Sequence, residues 1–141
     1  VITSLKAHGY GLSWFEQKAD GAFTEHKLMG ATPAENPQGV VFSQLHALQL
    51  ADVNGDGLLD IVTGKRRWAH GLKGDDEPMA DPVVYWFELK RDGQGGATFI
   101  PRQVDRDSGV GTQFWTGPLV PQAKPAIVTA NKHGVFVFQQ K

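Results

Sequence analysis

Three stretches of the chain repeat one pattern, starting near residues 1, 61 and 127. Each copy gives a β-branched run, then a loop with a His-Gly pair, then an aromatic run. The His-Gly pairs are His8-Gly9, His70-Gly71 and His133-Gly134. Self-similarity at this spacing predicts a repeat architecture in which neighbouring units bury their apolar faces against one another.

The segments between the copies complete a four-stranded unit. Asp-Gly pairs at residues 20–21 and 92–93 predict hairpin turns that lead into outer strands over 23–28 and 99–104. Inner strands are predicted over 46–51 and 113–117. Four antiparallel strands per repeat are typical of a β-propeller blade. We therefore expect an all-β chain, with residues 1–141 forming one partial propeller of about two and a half blades. A small β-sandwich with accidental repetition is the alternative.

Composition supports an all-β chain and excludes several functions. The 141 residues include 17 Gly and 8 Pro, as expected for short strands joined by turns. Net charge is −1, so bulk charge gives no case for nucleic acid or an anionic membrane. No apolar run approaches a membrane span, and without cysteine there are no disulfides or thiolate metal sites. The chain does not begin with Met, and we expect a piece of a longer protein.

A tight loop over residues 52–60, here called the 52–60 loop, carries the clearest chemistry. Oxygen ligands fall at alternating positions, which suits the six to eight oxygens that Ca²⁺ takes. The predicted ligands are the side chains of Asp52, Asn54, Asp56 and Asp60 and the backbone carbonyl of Leu58. An EF-hand is excluded because Thr63 stands where that loop needs Glu and because the flanks are strand-like. An ordinary Asp/Asn/Gly turn without a metal is the alternative.

Residues 46–64, HALQLADVNGDGLLDIVTG, resemble the FG-GAP/VCBS repeat, which builds integrin-like propellers and many secreted bacterial propellers. The resemblance implies a calcium loop between the first and second strands of a blade. It extends over nearly the whole chain as repeats, but only this copy has the full motif. A calcium site of ordinary affinity stays filled more easily outside the cytosol, so we expect an extracellular or periplasmic location.

The corresponding loop of the next unit lacks every ligand. In register with the four side-chain ligands stand Pro118, Val120, Gln122 and Ala126. This second loop, here called the 118–126 loop, is predicted to be metal-free.

The end of the sheets opposite the 52–60 loop is the predicted ligand surface. Blade topology places there the connections over residues 29–45, 65–82 and 105–112, and loops on a rigid scaffold commonly bind ligands. Trp68 offers a plane for a sugar ring, and Lys65 or Arg67 offers a cation for a carboxylate or hydroxyls. The full set of predicted ligand-binding residues is Lys65, Arg67, Trp68, His70, Asp107 and Gln113. The alternative is a solvated surface with structural histidines at the repeat position.

Two functions follow from these features. The first is a calcium-stabilised, non-catalytic binding or scaffold module for a carbohydrate or protein ligand. The second is part of a sugar dehydratase, because residues 64–71 and 107–113 resemble propellers of the aldos-2-ulose dehydratase type. That resemblance implies a base, His46 or His70, that removes a proton next to a sugar carbonyl. A piece of this size would supply only part of such a site. Exposed edge strands should pair with the remaining blades or with a second copy.

Overall fold

A computed structural model describes residues 1–67 and 69–140 as ten β-strands and one short 3-10 helix, Pro33–Glu35. The strands are β1 Ile2–Ser4, β2 Leu12–Gln17, β3 Phe23–Met29, β4 Leu48–Ala51, β5 Asp60–Gly64, β6 Val84–Arg91, β7 Ala97–Asp105, β8 Phe114–Pro118, β9 Pro125–Asn131 and β10 Gly134–Gln139. The all-β prediction is confirmed. Within the described ranges no helix has the length and apolar character to cross a bilayer.

The strands form three antiparallel sheets. The middle sheet has the order β4-β5-β6-β7, the first has β1-β2-β3, and the last has β10-β9-β8. Within each sheet, strands that are consecutive in sequence pair with one another, so each sheet is a meander. The outer strands predicted over 23–28 and 99–104 and the inner strands predicted over 46–51 and 113–117 lie within two residues of β3, β7, β4 and β8. In the part of the chain that the structure describes, the sheets do not close into a ring, so the blade number stays a prediction.

Two separate cores lie on the two faces of the middle sheet. One face of β5 and β6 contributes Ile61 and Phe87, which pack with Leu12 and Met29 of the first sheet. The other face contributes Val62 and Val84, which pack with Phe114 and Ile127 of the last sheet. Because side chains alternate across a strand, adjacent residues such as Ile61 and Val62 enter different cores. The three sheets are therefore stacked face to face.

The first strands of the middle and last sheets, β4 and β8, lie side by side. Gln49 on β4 accepts hydrogen bonds from the backbone N–H of Thr116 on β8 at 2.9 Å and from its hydroxyl at 2.8 Å. The Gln49 amide also donates to the backbone carbonyl of Phe114. One glutamine thus connects two sheets that share no backbone ladder.

Antiparallel order divides the connections between two ends of the stack. The 52–60 loop joins β4 to β5 at one end. The chain then runs along β5, so the connection over residues 65–83 leaves from the other end, together with the β1–β2 loop. This second end is called the polar end below.

Candidate functional site

The 52–60 loop curls around the carboxylate of Asp52. One oxygen of Asp52 accepts N–H bonds from Gly55 at 2.8 Å and Asp56 at 3.0 Å, and the other accepts from Gly57 at 2.9 Å. Gly57 has φ +85°, a conformation that favours glycine, and this allows the chain to turn inward. The loop therefore has the compact, oxygen-lined form that its sequence predicts.

The other predicted ligands lie on the same loop. Asn54 accepts the N–H of Asp56 through its Oδ1, and Asp56 accepts the N–H of Leu58, both at 3.0 Å. Asp60 is fully buried, and its two oxygens accept N–H bonds from Val53 at 3.0 Å and from Leu89 at 2.8 Å. Asp60 therefore joins the loop to strand β6.

The oxygen ligands of the 52–60 loop suit a hard cation in type and in charge. Burial raises the pKa of Asp60 against the hydrogen bonds from Leu89 and Val53, and the nearby charges of Asp56 and Asp52 raise it further. Carboxylates that repel one another at one loop are relieved by a divalent ion. In this fold their oxygens are also engaged by backbone N–H groups. The assignment of Asp52, Asn54, Asp56, Leu58 and Asp60 to calcium stays a prediction.

The 118–126 loop differs in form from the 52–60 loop. Pro118 pairs with Pro125 at the ends of β8 and β9, and Val120 between them is exposed. Gln122 has φ +64°, and Ala126 is buried. No side chain at the four registered positions carries a charge that would hold a cation.

At the polar end, loops from all three sheets contact one another. The N–H of Arg66 donates to the carbonyl of Gln44 at 3.4 Å, and the N–H of Gln44 donates to the carbonyl of Gly9 at 2.6 Å. On the other side, the N–H of Val110 donates to the carbonyl of Lys65 at 3.3 Å. Residues far apart in sequence are thus fixed to one another by backbone bonds.

Lys65 is buried beneath this surface, with 1 % of its area exposed. Its Nζ donates to the Ser43 hydroxyl at 2.8 Å and to the Asp76 carbonyl at 3.5 Å. Burial lowers the pKa of Lys65 to about 8, although the carboxylates of Glu77 and Asp75 oppose that shift. Lys65 and Glu77 also line a cavity of about 340 Å³. A lysine in this setting is neutral more readily than one in water.

The buried carboxylate of Asp75 is the centre of the polar end. Its Oδ2 accepts the backbone N–H groups of Ala69 at 2.6 Å and His70 at 3.1 Å. Its Oδ1 lies 2.9 Å from the Nδ1 atoms of both His8 and His70. Burial would raise the pKa of Asp75, but the hydrogen bonds from His70, Ala69 and His8 outweigh it and hold the pKa well below its usual range.

Arg66 and His46 complete the group. A terminal guanidinium nitrogen of Arg66 lies 2.8 Å from His8 Nδ1, and the buried Arg66 Nε has no hydrogen-bond partner among residues 1–67 and 69–140. The His46 ring stands edge-on to His8 with 5.5 Å between centroids, and its buried Nδ1 likewise has no partner in the described part of the chain. The His8 and His70 rings lie 4.6 Å apart. Four ionisable side chains therefore surround His8.

The predicted ligand-binding residues are distributed unevenly around this group. His70 belongs to it, and Lys65 lies beneath it. Arg67 is half-buried next to Arg66, while Asp107 and Gln113 are exposed on the connection into β8. Gln113 lines a cavity of about 400 Å³ with His46. Trp68 lies outside the described residues.

Three residues of the group were not among the predicted site residues: His8, Arg66 and Asp75. The signal for His8 was its repeat position, shared with His70, because equivalent corners of stacked sheets meet. That position was interpreted as structural. Asp75 gave no signal, since its partners are brought to it by the 65–83 connection.

No protein-family model, curated protein or solved structure matches this chain.

Proposed function

We propose that this chain is a segment of a β-propeller, held at one end by calcium in the 52–60 loop and binding a carbohydrate or protein ligand at the polar end. The observation that carries the proposal is the packing of β4 against β8 through Gln49. Face-to-face sheets with adjacent first strands are what radial blades around an axis require. The FG-GAP/VCBS resemblance of residues 46–64 and the extracellular or periplasmic location belong to the same proposal.

The polar end supports a ligand surface for a physical reason. Lys65, Arg66 and the Asp75 carboxylate are buried charges, and burying a charge costs free energy unless the charge is paired and hydrogen-bonded. Loops from three sheets converge there, and a rigid base under converging loops is the usual setting of a binding site.

Calcium removal tests the ion proposed in the 52–60 loop. We expect chelation to lower the melting temperature, because the ion stabilises only the folded loop, and calcium to restore it. Asp56→Ala should abolish this response. Asp92→Ala is the matched control, since Asp92 accepts two turn N–H bonds at 2.8 Å in the β6–β7 hairpin. A melting temperature that chelation leaves unchanged in the unsubstituted chain would refute the calcium assignment.

Assembly tests the propeller assignment separately. The edge strands β1 and β10 each have one unpaired side, and Val135 and Val137 on β10 are exposed. Sedimentation should show self-association of the isolated chain, or a complex when the remaining blades are supplied. A monomer that binds no further blade contradicts the proposal.

A sugar dehydratase or lyase is the second candidate, and the contact between Asp75 and His70 favours it. A carboxylate on Nδ1 orients the ring and leaves Nε2 as the proton acceptor. In this role His70 would take a proton next to a keto-sugar carbonyl, and His46, which has no such carboxylate, is the alternative base. Incubation with keto-sugars should then give an unsaturated product that His70→Ala abolishes. A chain that forms no product in the presence of its remaining blades is not a dehydratase.

A further inference from the structure

The Lys65 amine is buried between two uncharged oxygen atoms. Its Nζ donates to the Ser43 hydroxyl at 2.8 Å and to the backbone carbonyl of Asp76 at 3.5 Å. The Ser43 hydroxyl gives its own proton to the same carbonyl at 2.8 Å, so its oxygen can only accept from Nζ. A neutral amine has two N–H groups and one lone pair, whereas an ammonium group has three N–H groups. The two contacts therefore match the neutral amine and leave its lone pair for another group.

Burial also changes the charge of this amine. The pKa of Lys65 is lowered from 10.5 to about 8 by burial, with a smaller contribution from the charge of Arg66. Among the described residues, the charges that oppose this shift are three carboxylates that accept no hydrogen bond from Nζ, those of Glu77, Asp75 and Asp76. About a tenth of the amine is then neutral at pH 7, against less than about a thousandth for an exposed lysine. The neutral form is the nucleophile.

A cavity of about 340 Å³ lies against Lys65. This volume is within the range of small-molecule sites, which are mostly apolar with a few polar groups. The apolar lining residues include Val40, Val41, Phe42 and Val83. Glu77 and Asp81 add carboxylates, and Lys65 is the one cation among the described residues that line the cavity. A nucleophilic amine thus meets a space that can hold a small organic molecule.

We propose that Lys65 forms a reversible imine with a small, uncharged aldehyde or ketone bound in this cavity. Desolvated lysines are the usual partners in such bonds. The lone pair of Nζ adds to the carbonyl carbon, and the carbonyl oxygen takes up a proton that Nζ releases. The C–O bond then breaks, the leaving hydroxyl departs as water with the second Nζ proton, and nitrogen and carbon form the C=N bond. One amine and one carbonyl give one imine and one water, without an oxidant or a reductant.

The acidic lining of the cavity determines which carbonyl compounds fit. Asp81 is paired with Arg106 at 2.7 Å, whereas Glu77 is the carboxylate that would carry a proton between the nitrogen and the oxygen. Negative charge on the wall also disfavours an anionic carbonyl compound. The substrate class is therefore uncharged. This chemistry requires neither calcium in the 52–60 loop nor further propeller blades.

Reductive trapping of the full chain tests the inference. Glyceraldehyde with cyanoborohydride at pH 7 converts each imine into a stable secondary amine, and digestion with mass spectrometry gives the labelling rate of each lysine. We expect Lys65 to be labelled roughly 10-fold faster, or more, than the exposed Lys6 and Lys18, because more of its amine is neutral. With increasing glyceraldehyde the rate at Lys65 should level off, while the rates at Lys6 and Lys18 should stay proportional to concentration.

Two control measurements separate the folded site from a merely reactive sequence. In urea the advantage of Lys65 over Lys18 should vanish, because burial is lost. With glyoxylate, an anionic aldehyde, the ratio of Lys65 to Lys18 labelling should be lower than with glyceraldehyde. The inference is overturned if Lys65 in the folded chain is labelled no faster than Lys18, if its advantage persists in urea, or if its rate does not level off. An equal or higher ratio with glyoxylate overturns the uncharged substrate class. Each of these results can be read whether or not the chain binds calcium or self-associates.

Discussion

Gln49 on β4 and Thr116 on β8 are joined by two hydrogen bonds, although no backbone ladder connects their sheets. The side-chain oxygen of Gln49 accepts the Thr116 N–H in the place that a neighbouring strand would occupy. A side chain in this position at a sheet–sheet junction should contribute more to the free energy of unfolding than an ordinary polar surface residue does.

Replacement of Gln49 by Ala tests this junction. It leaves the N–H of Thr116 and the carbonyl of Phe114 without partners, and we expect a loss of about 1–3 kcal/mol in the free energy of unfolding. Urea denaturation of the variant measures it. Gln17→Ala, at the exposed end of β2, is the control and should differ little from the unsubstituted chain. Equal stability of the two variants would contradict the role of Gln49.

Asp60 should stabilise the fold even without calcium, because both of its oxygens accept buried backbone N–H bonds. In Asp60→Asn one oxygen becomes an amide that faces the N–H of Val53 or Leu89, two donors in opposition. We expect a loss of about 1–3 kcal/mol in the free energy of unfolding in chelator. Asp20→Asn, in an exposed hairpin turn with one N–H bond from Ala22, should change little. A stable Asp60→Asn chain would show that the loop tolerates the unmatched donor.

Stability should fall in acid through Glu88. Hydrogen bonds from Lys90 and Arg102 lower the pKa of Glu88 to about 2 from an ordinary 4.5. The unfolded chain therefore binds this proton first, and the contribution of Glu88 is lost as pH falls from about 4.5 to about 2. Melting temperatures across that range, in chelator, should fall less steeply for Glu88→Gln. Parallel curves for the two proteins would exclude the effect.

Lys65 should give a dependence of the same sign in mild alkali. Burial lowers the pKa of Lys65 to about 8 from 10.5, so between these values the unfolded chain holds the proton that the folded chain has lost. By linkage, the contribution of Lys65 to stability rises as pH increases from about 8 toward 10. Lys65→Met should lack this rise in denaturant titrations at pH 7.5, 8.5 and 9.5. Lys18→Met, an exposed lysine of the β2–β3 turn, should retain it.

The sequence predicted the strands well because their signal is local. Alternation in β4 and β-branched residues in β5 reflect packing on a sheet, and Asp-Gly turns define the hairpins. The division of apolar residues between two cores also follows from this alternation, as the neighbours Ile61 and Val62 demonstrate.

The polar end was predicted less completely because its contacts are not local. His8 and Asp75 are 67 residues apart, and Arg66 and His8 are 58 apart. Such pairs depend on the path of the 65–83 connection, which no periodic pattern specifies. Lys65 illustrates the same limit: its sequence neighbours Arg66 and Arg67 made it look like surface, whereas the fold buries it against Ser43.

The shared repeat position of His8 and His70 has a consequence for any longer array of such units. His8 and His70 meet where the first and middle sheets stack, so a residue at this repeat position can pair with its own copy in the next unit. Whether a pair becomes a site then depends on the loop between strands. The β5–β6 connection is long enough to bring Asp75 back to the seam, while His133 lies in the short turn between β9 and β10. The length of the connection between two strands, rather than a new side chain at the repeat position, determines which junction between sheets can form a site.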